Sequence, residues 1–250
     1  IAKIAKSAQI VPTQMEFVDI AGLVRGASKG EGLGNQFLAN IREVDAVLQV
    51  VRCFEDENIT HVDGSIDPLR DAETIETELM LADLESLEKR VTPLTKKSRG
   101  NDKDAIQQLA LVERALELLQ EGKPARMLDV SNEDVKAFKG LQLLTSKPIL
   151  YVCNVEEDSA ATGNELTKKI AAMAADQGAE SVVISARTEE EVAQLDDADE
   201  KAEFLETLGL EETGLAQVIR AGYSLLGLIT FFTAGPQEVR AWTITDGDKA

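Results

Sequence analysis

Residues 17–34 read FVDIAGLVRGASKGEGLG, an apolar run that ends at Asp19 and passes into a glycine-rich segment. Open α/β sheets bind ligands where their strands end. A carboxylate delivered there can hold Mg²⁺ through water, and Gly22 would let a backbone amide reach a terminal phosphate with no side chain in the way. Asp-x-x-Gly is a short pattern, and a plain strand-end turn reads the same way. Further glycines at 26, 30, 32 and 34 expose backbone and permit the movement that a nucleotide-sensing switch requires. They do not have the G-x-G-x-x-G spacing of a dinucleotide site, and movement without ligand contact fits them equally. In YVCNVEED (151–158) an apolar run ends at Asn154, with Glu157 three residues on. That is either a base-reading loop or an acidic turn. His61, the one histidine, lies in ITHVDG with no fitting partner for acid–base work and reads as a surface or loop residue.

Strands must carry these groups. Met15–Ile20, Asp45–Arg52, Ile149–Asn154 and Ser181–Ser185 are short apolar runs of buried-strand type. Between the last two, Leu166, Ile170, Met173 and Ala174 keep helical spacing over Glu165–Gln177. Strands alternating with helices predict a mostly parallel, doubly wound sheet. A different pattern interrupts it. Met80, Leu84, Leu87, Val91 and Leu94 are spaced 4, 3, 4, 3, and so are Ala105, Leu109, Val112, Leu116 and Leu119. Each set makes one apolar seam, and the turn-forming SRGND (98–102) lies between them, which predicts an antiparallel helical hairpin inserted over residues 71–145. Lys89, Arg90, Lys96, Lys97, Arg99 and Lys103 crowd its tip. They form either a solvated helix end or a docking surface for a polyanion such as ribosomal RNA, with Lys96, Lys97 and Arg99 as the contact residues. After residue 188 come helical stretches, and near Gly227 the composition turns β-rich and aromatic around a Gly-Pro turn.

At 250 residues, 44% apolar and 28% charged, the chain is large enough for one or two cores and excludes collagen and low-complexity classes. A formal charge of −19 disfavours nonspecific adhesion to nucleic acid by the whole chain, though not through a local basic patch. No apolar stretch reaches membrane-spanning length, and no signal-peptide pattern is present. Cys53 and Cys153 both lie in strand-like runs, which fits a reduced, cytoplasmic protein. The chain opens on Ile1 and stops at TITDGDKA, and reads as a segment of a longer protein.

FVDIAGLVRGASKGEGLGNQFLANIREVDAVLQVVRCFED resembles the YchF subfamily of Obg-related P-loop NTPases, the Obg-like ATPases. The likeness continues through the hairpin, NVEED, AQLDDADEKAEFLETLGLEETGL and IRAGYSLLGLITFFTAGPQEVRAWTI, and so covers essentially the whole chain. The fold it implies is α/β: a Ras-like P-loop NTPase domain (1–70 and 146–226), a helical insertion (71–145) and the beginning of a TGS domain (227–250). It implies that Asp19 sits near Mg²⁺ through water and Gly22 near the γ-phosphate. Leu23 stands where Ras-type GTPases place a water-orienting glutamine, so hydrolysis is expected to be slow without help from elsewhere. Asn154, Val155 and Glu157 fall on the base-recognition motif, N-K-x-D in most relatives and N-V-E-E here. Ser185, Ala186 and Arg187 fall on its supporting S-A-K motif, with Arg for Lys.

The aspartate of N-K-x-D accepts hydrogen bonds from the N1–H and N2 amine of guanine, groups that adenine lacks. Glu157 displaces that carboxylate by a methylene, and Val155 removes the lysine stem. The expectation is ATP over GTP, hydrolysed with Mg²⁺ and coupled to ribosome binding, with no membrane and no sequence-specific DNA partner. No G-x-x-x-x-G-K-[ST] occurs in the 250 residues, so they are expected to bind nucleotide poorly and hydrolyse none by themselves. A guanine-specific Obg-type GTPase of ribosome assembly and a nucleotide-independent ribosome-binding adaptor are the alternatives.

Overall fold

A computed structural model describes residues 1–20, 33–56, 58–59 and 64–247; Gly22, Leu23 and His61 lie outside them. Ile149–Asn154 forms strand β3, buried at every residue but the last. A strand with no polar alternation has to be covered on both faces. Val47–Arg52 (β2) and Glu180–Ile184 (β4) flank it, both parallel, in the order β2-β3-β4. Ile149, Tyr151 and Cys153 face one core, with Ala72 of helix α3 (Pro68–Ser98) and Ile170 and Ala174 of α6 (Glu165–Asp176). Leu150 and Val152 face the other, with Val218 and the half-buried Ala221 and Leu225 of α9 (Gly214–Leu225). Register aligns Arg52 with Asn154 and Asn154 with Ile184, so all three strands finish at one edge.

The hairpin forms where the two seams predict it. Asp67 caps α3 by accepting from the Arg70 amide, and Asp102 caps α4 (Lys103–Gln120) by accepting from the Ala105 amide. Asn101, left-handed at φ 61°, makes the turn between them. Leu87, Val112 and Leu119 of the seams are buried together, but so are Leu111 and Ala115, which lie off them. The segment returning to the sheet explains these, because Phe138 of helix α5 (Val135–Lys139) and Leu141 and Leu143 just after it join the same cluster. Two polar groups tie α3 to the segments that lead back to the sheet. Asp83 is fully buried and accepts from the Leu144 amide (2.8 Å), the Thr145 amide (2.9 Å) and the Thr145 hydroxyl (2.7 Å). Burial pushes its carboxyl above the ordinary range against the pull of those bonds. Glu76 of α3 pairs in two-pronged fashion with Arg126 (2.9 and 3.1 Å). Arg126 also donates to Gln177 at the end of α6, whose side-chain oxygen meets the Tyr151 hydroxyl at 3.3 Å.

The expected strand over Met15–Ile20 is not formed. Residues 12–20 have no regular secondary structure, and Phe17, Val18 and Asp19 are exposed. An apolar strand keeps its place through a ladder to a neighbour. Among the described residues no strand pairs with this segment, although Ile20 packs against the cluster of Leu38 and Ile41, and β2 is an edge strand, with Val50 66% exposed. The preceding Gln9–Val11 (β1) instead joins a second sheet, parallel to Glu238–Thr245 (β6), which pairs antiparallel with Leu228–Ala234 (β5). The short helix α1 (Ala2–Ala5) precedes β1, α2 (Leu33–Glu43) packs Leu38 and Ile41 against Leu79 and Ala82 of α3, and α7 (Ala186–Gln194) and α8 (Ala198–Thr207) lead from β4 to α9.

Candidate functional site

The shared edge of β2, β3 and β4 gathers the base-motif residues. At the end of β3 the Asn154 carbonyl accepts from the Cys53 amide (2.8 Å), which extends the ladder beyond β2. The Val155 amide donates to the Ile184 carbonyl (2.9 Å) and does the same on the other side. The Asn154 side-chain oxygen then accepts from the Ala186 amide at 2.9 Å. Ala186 opens α7, and Ser185, 2% exposed, caps that helix by accepting from the Thr188 amide. The two motif segments, 32 positions apart, are thus joined by one hydrogen bond. Arg187 is exposed and faces Glu191 at 3.5 Å.

Val155 and Glu157 point different ways. Val155 is 3% exposed and belongs to the core that holds Cys53 and Tyr151. Glu157 begins the turn Glu157–Ser159, is half-buried, and its carboxylate accepts no hydrogen bond from the described residues. Lys96, Lys97 and Arg99 are exposed at the far end of α3, in no ion pair among the described residues. Asp19 is exposed and lies in a stretch without regular secondary structure; among the described residues no group of three or more metal-capable side chains occurs. One exposed carboxylate is not by itself a ligand set for Mg²⁺, which needs near-octahedral oxygen ligands.

Several supporting residues escape a motif reading. Asn164 caps α6 by accepting from the Leu166 and Thr167 amides, and its amide nitrogen donates to the Cys53 carbonyl at 2.7 Å. The Asn-x-x-Thr pattern before an apolar helix was a readable capping signal; the bond across 111 positions was not. Arg52 holds the next loop by donating to the carbonyls of Phe54, Asp56 and Ile59. Cys53 and Cys153 are free, buried and adjacent; hydrogen bonding to Cys53, and then burial, push the Cys153 thiol well up and keep it protonated. Glu189 of α7 accepts from the Gly214 and Leu215 amides and so anchors α9 beneath the site.

A family model described as "50S ribosome-binding GTPase" matches residues 3–82. The Ribosome-binding ATPase YchF of Bacillus subtilis (strain 168) is 54% identical over 242 residues, 96% of this chain and 66% of that protein. That of Escherichia coli O157:H7 is 51% identical over 250 residues, 100% of this chain and 68% of the relative. The chain belongs to the YchF family. A solved YchF GTPase from Schizosaccharomyces pombe superimposes with a TM-score of 0.85 at 37% identity, covering 100% of this chain and 68% of the other. This bears out the Ras-like P-loop NTPase fold, an α/β domain with a parallel sheet between helices. The chain spans about two thirds of the length of these YchF proteins. No described helix is long and apolar enough to cross a membrane.

Proposed function

We propose that this chain supplies the base-reading part of a cytoplasmic nucleotide hydrolase that takes ATP in preference to GTP and works in association with the ribosome. The observation that carries the reading is the Asn154–Ala186 bond, which fixes two motif segments as one loop pair at the strand ends. Glu157 stands at the edge of that pair with its carboxylate unengaged among the described residues. Guanine selectivity needs a carboxylate set to accept from N1–H and N2, and a longer side chain on a turn residue loosens that demand. Asn154, Ser185 and the backbone at Val155 and Ala186 would frame the base, and Gly22 would approach the γ-phosphate. Asp19 would contribute toward the Mg²⁺ expected with the nucleotide. With Leu23 in place of a glutamine, turnover would be slow.

The domain division follows the same reading: nucleotide domain over 1–70 and 146–226, insertion over 71–145, TGS beginning at 227–250. The exposed cations Lys96, Lys97 and Arg99 would meet ribosomal RNA. No phosphate-cradling G-x-x-x-x-G-K-[ST] lies within these 250 residues, so the whole protein is the species to test. In competition binding to it, ATP should outcompete GTP. Glu157→Asp should move the ATP/GTP affinity ratio toward GTP by about tenfold, the worth of one recovered hydrogen bond. A parent protein that prefers GTP would sink the reading and favour the guanine-specific alternative. No nucleotide dependence of ribosome binding would favour the adaptor.

A further inference from the structure

The helical insertion holds a pocket of about 250 Å³ between α3, α4 and α5. Pro93, Leu94, Ala137 and Leu141 supply its apolar lining, and Lys89, Arg90 and Lys97 also border it. It is smaller than the roughly 300–1,000 Å³ of pockets that enclose drug-sized ligands, and suits one large side chain as an anchor. Its charge is unlike that of the rest of the chain. From Lys89 to Lys103 there are six cations and one acid, Asp102, whose carboxylate caps α4. Among the described residues Lys89 pairs with the exposed Glu85 alone, a contact that water and salt weaken. Arg90 meets Ser86, and Lys97 has no ion pair among the described residues. Pro93 lies inside α3 and has no N–H, so the Lys89 carbonyl lacks its usual helical donor beside the pocket.

We propose that this pocket docks an acidic peptide segment of a partner protein. One leucine- or phenylalanine-type side chain would sit against Leu94 and Ala137, flanking carboxylates would meet Lys89 and Arg90 and compete with ribosomal RNA for Lys97, and a peptide N–H would reach the Lys89 carbonyl. A nucleic-acid backbone would use the cations and leave both the apolar floor and that carbonyl unanswered.

The test uses the full-length protein and three dye-labelled probes in fluorescence anisotropy. They are the peptide Glu-Asp-Glu-Phe-Glu-Glu-Asp, the same peptide with Ala for Phe, and a single-stranded oligoribonucleotide. The Phe peptide should bind at least about tenfold more tightly than the Ala peptide. Lys97→Glu and Lys89→Glu, both at exposed positions, should each weaken it about tenfold with the thermal midpoint unchanged. Equal binding of the two peptides, no binding of either, or displacement of the Phe peptide by the oligoribonucleotide at lower concentration would each overturn the proposal. The last result would make the pocket's rim part of a nucleic-acid surface.

Discussion

Replacing Glu76 by alanine is expected to lower stability by about 3–5 kcal/mol, because it strands a buried guanidinium. The side chains of Arg126 and Glu76 are 9% and 6% exposed, and the two-pronged pairing satisfies both carboxylate oxygens. Gln177 can answer only one of the remaining guanidinium donors, and the Arg126 Nε is already buried without a partner among the described residues. Water therefore cannot take the place of Glu76 without opening the junction between the insertion and the sheet. Urea unfolding of the single variant measures the loss, which corresponds to a thermal midpoint lower by about 6–20 °C for a chain of this size. The double variant Glu76→Leu, Arg126→Met should recover most of it, since apolar groups of similar volume need no counter-charge. A loss below about 1 kcal/mol for Glu76→Ala would mean that the pair is open to solvent. Tyr151 gives an independent readout. Burial, and then the charge of Glu76, push its hydroxyl from 10.0 up to about 12. The folded state therefore holds this proton longer than the unfolded state, and stability falls as pH rises from 10 toward 12. Glu76→Ala should move the tyrosine titration down.

Val155→Lys, the change that would restore the lysine of N-K-x-D, is expected to cost on the order of 4–7 kcal/mol. Val155 is 3% exposed in a core shared with Val51, Cys53, Tyr151 and Ile170, and its amide is committed to the Ile184 carbonyl. An ammonium there would lose its hydration with no carboxylate in the cluster. That depresses its pKa by about 3–5 units, each worth about 1.4 kcal/mol. Soluble yield and the urea midpoint check it, with Val155→Met as a volume-tolerant control. A lysine variant as stable as the parent, with an ordinary lysine pKa, would mean that this side chain can turn toward solvent. The valine is thus a core residue as well as a motif residue, and Glu157 is the position at which base selectivity can be probed without disturbing the fold.

The sequence disclosed features that repeat locally. The uninterrupted apolar run at 149–153 announced a strand covered on both faces, and two seams of 4,3 spacing announced the hairpin. Leu111 and Ala115 were not legible as core, because the surface that buries them comes from a segment some 25–30 positions on. The base-motif likeness pointed to Asn154 and Ser185 in one region; the bond from Ala186 to Asn154 exists only once β3 and β4 are in register. Met15–Ile20 misled for the converse reason. Its composition is that of a strand, but composition cannot provide a partner strand, and among the described residues none pairs with it. Asn164 is a helix cap of a kind that local sequence can signal, while its second bond, to Cys53, is a tertiary fact with no local trace.

The sheet of β1, β6 and β5 also has a consequence for the order of synthesis. The Ser7 hydroxyl donates to the Gly235 carbonyl across 228 positions, and Gln9–Val11 has its ladder partner at 238–240. At a translation rate of about 5–20 residues per second, Ser7 leaves the ribosome about 10–50 s before the residues that hold it. The parallel sheet β2-β3-β4 is fully translated by residue 184 and need not wait. During that interval the early segment's amides can bond only to water or to a transient escort. A pause in elongation between β4 and β6 would prolong that exposure and leave the central sheet already closed.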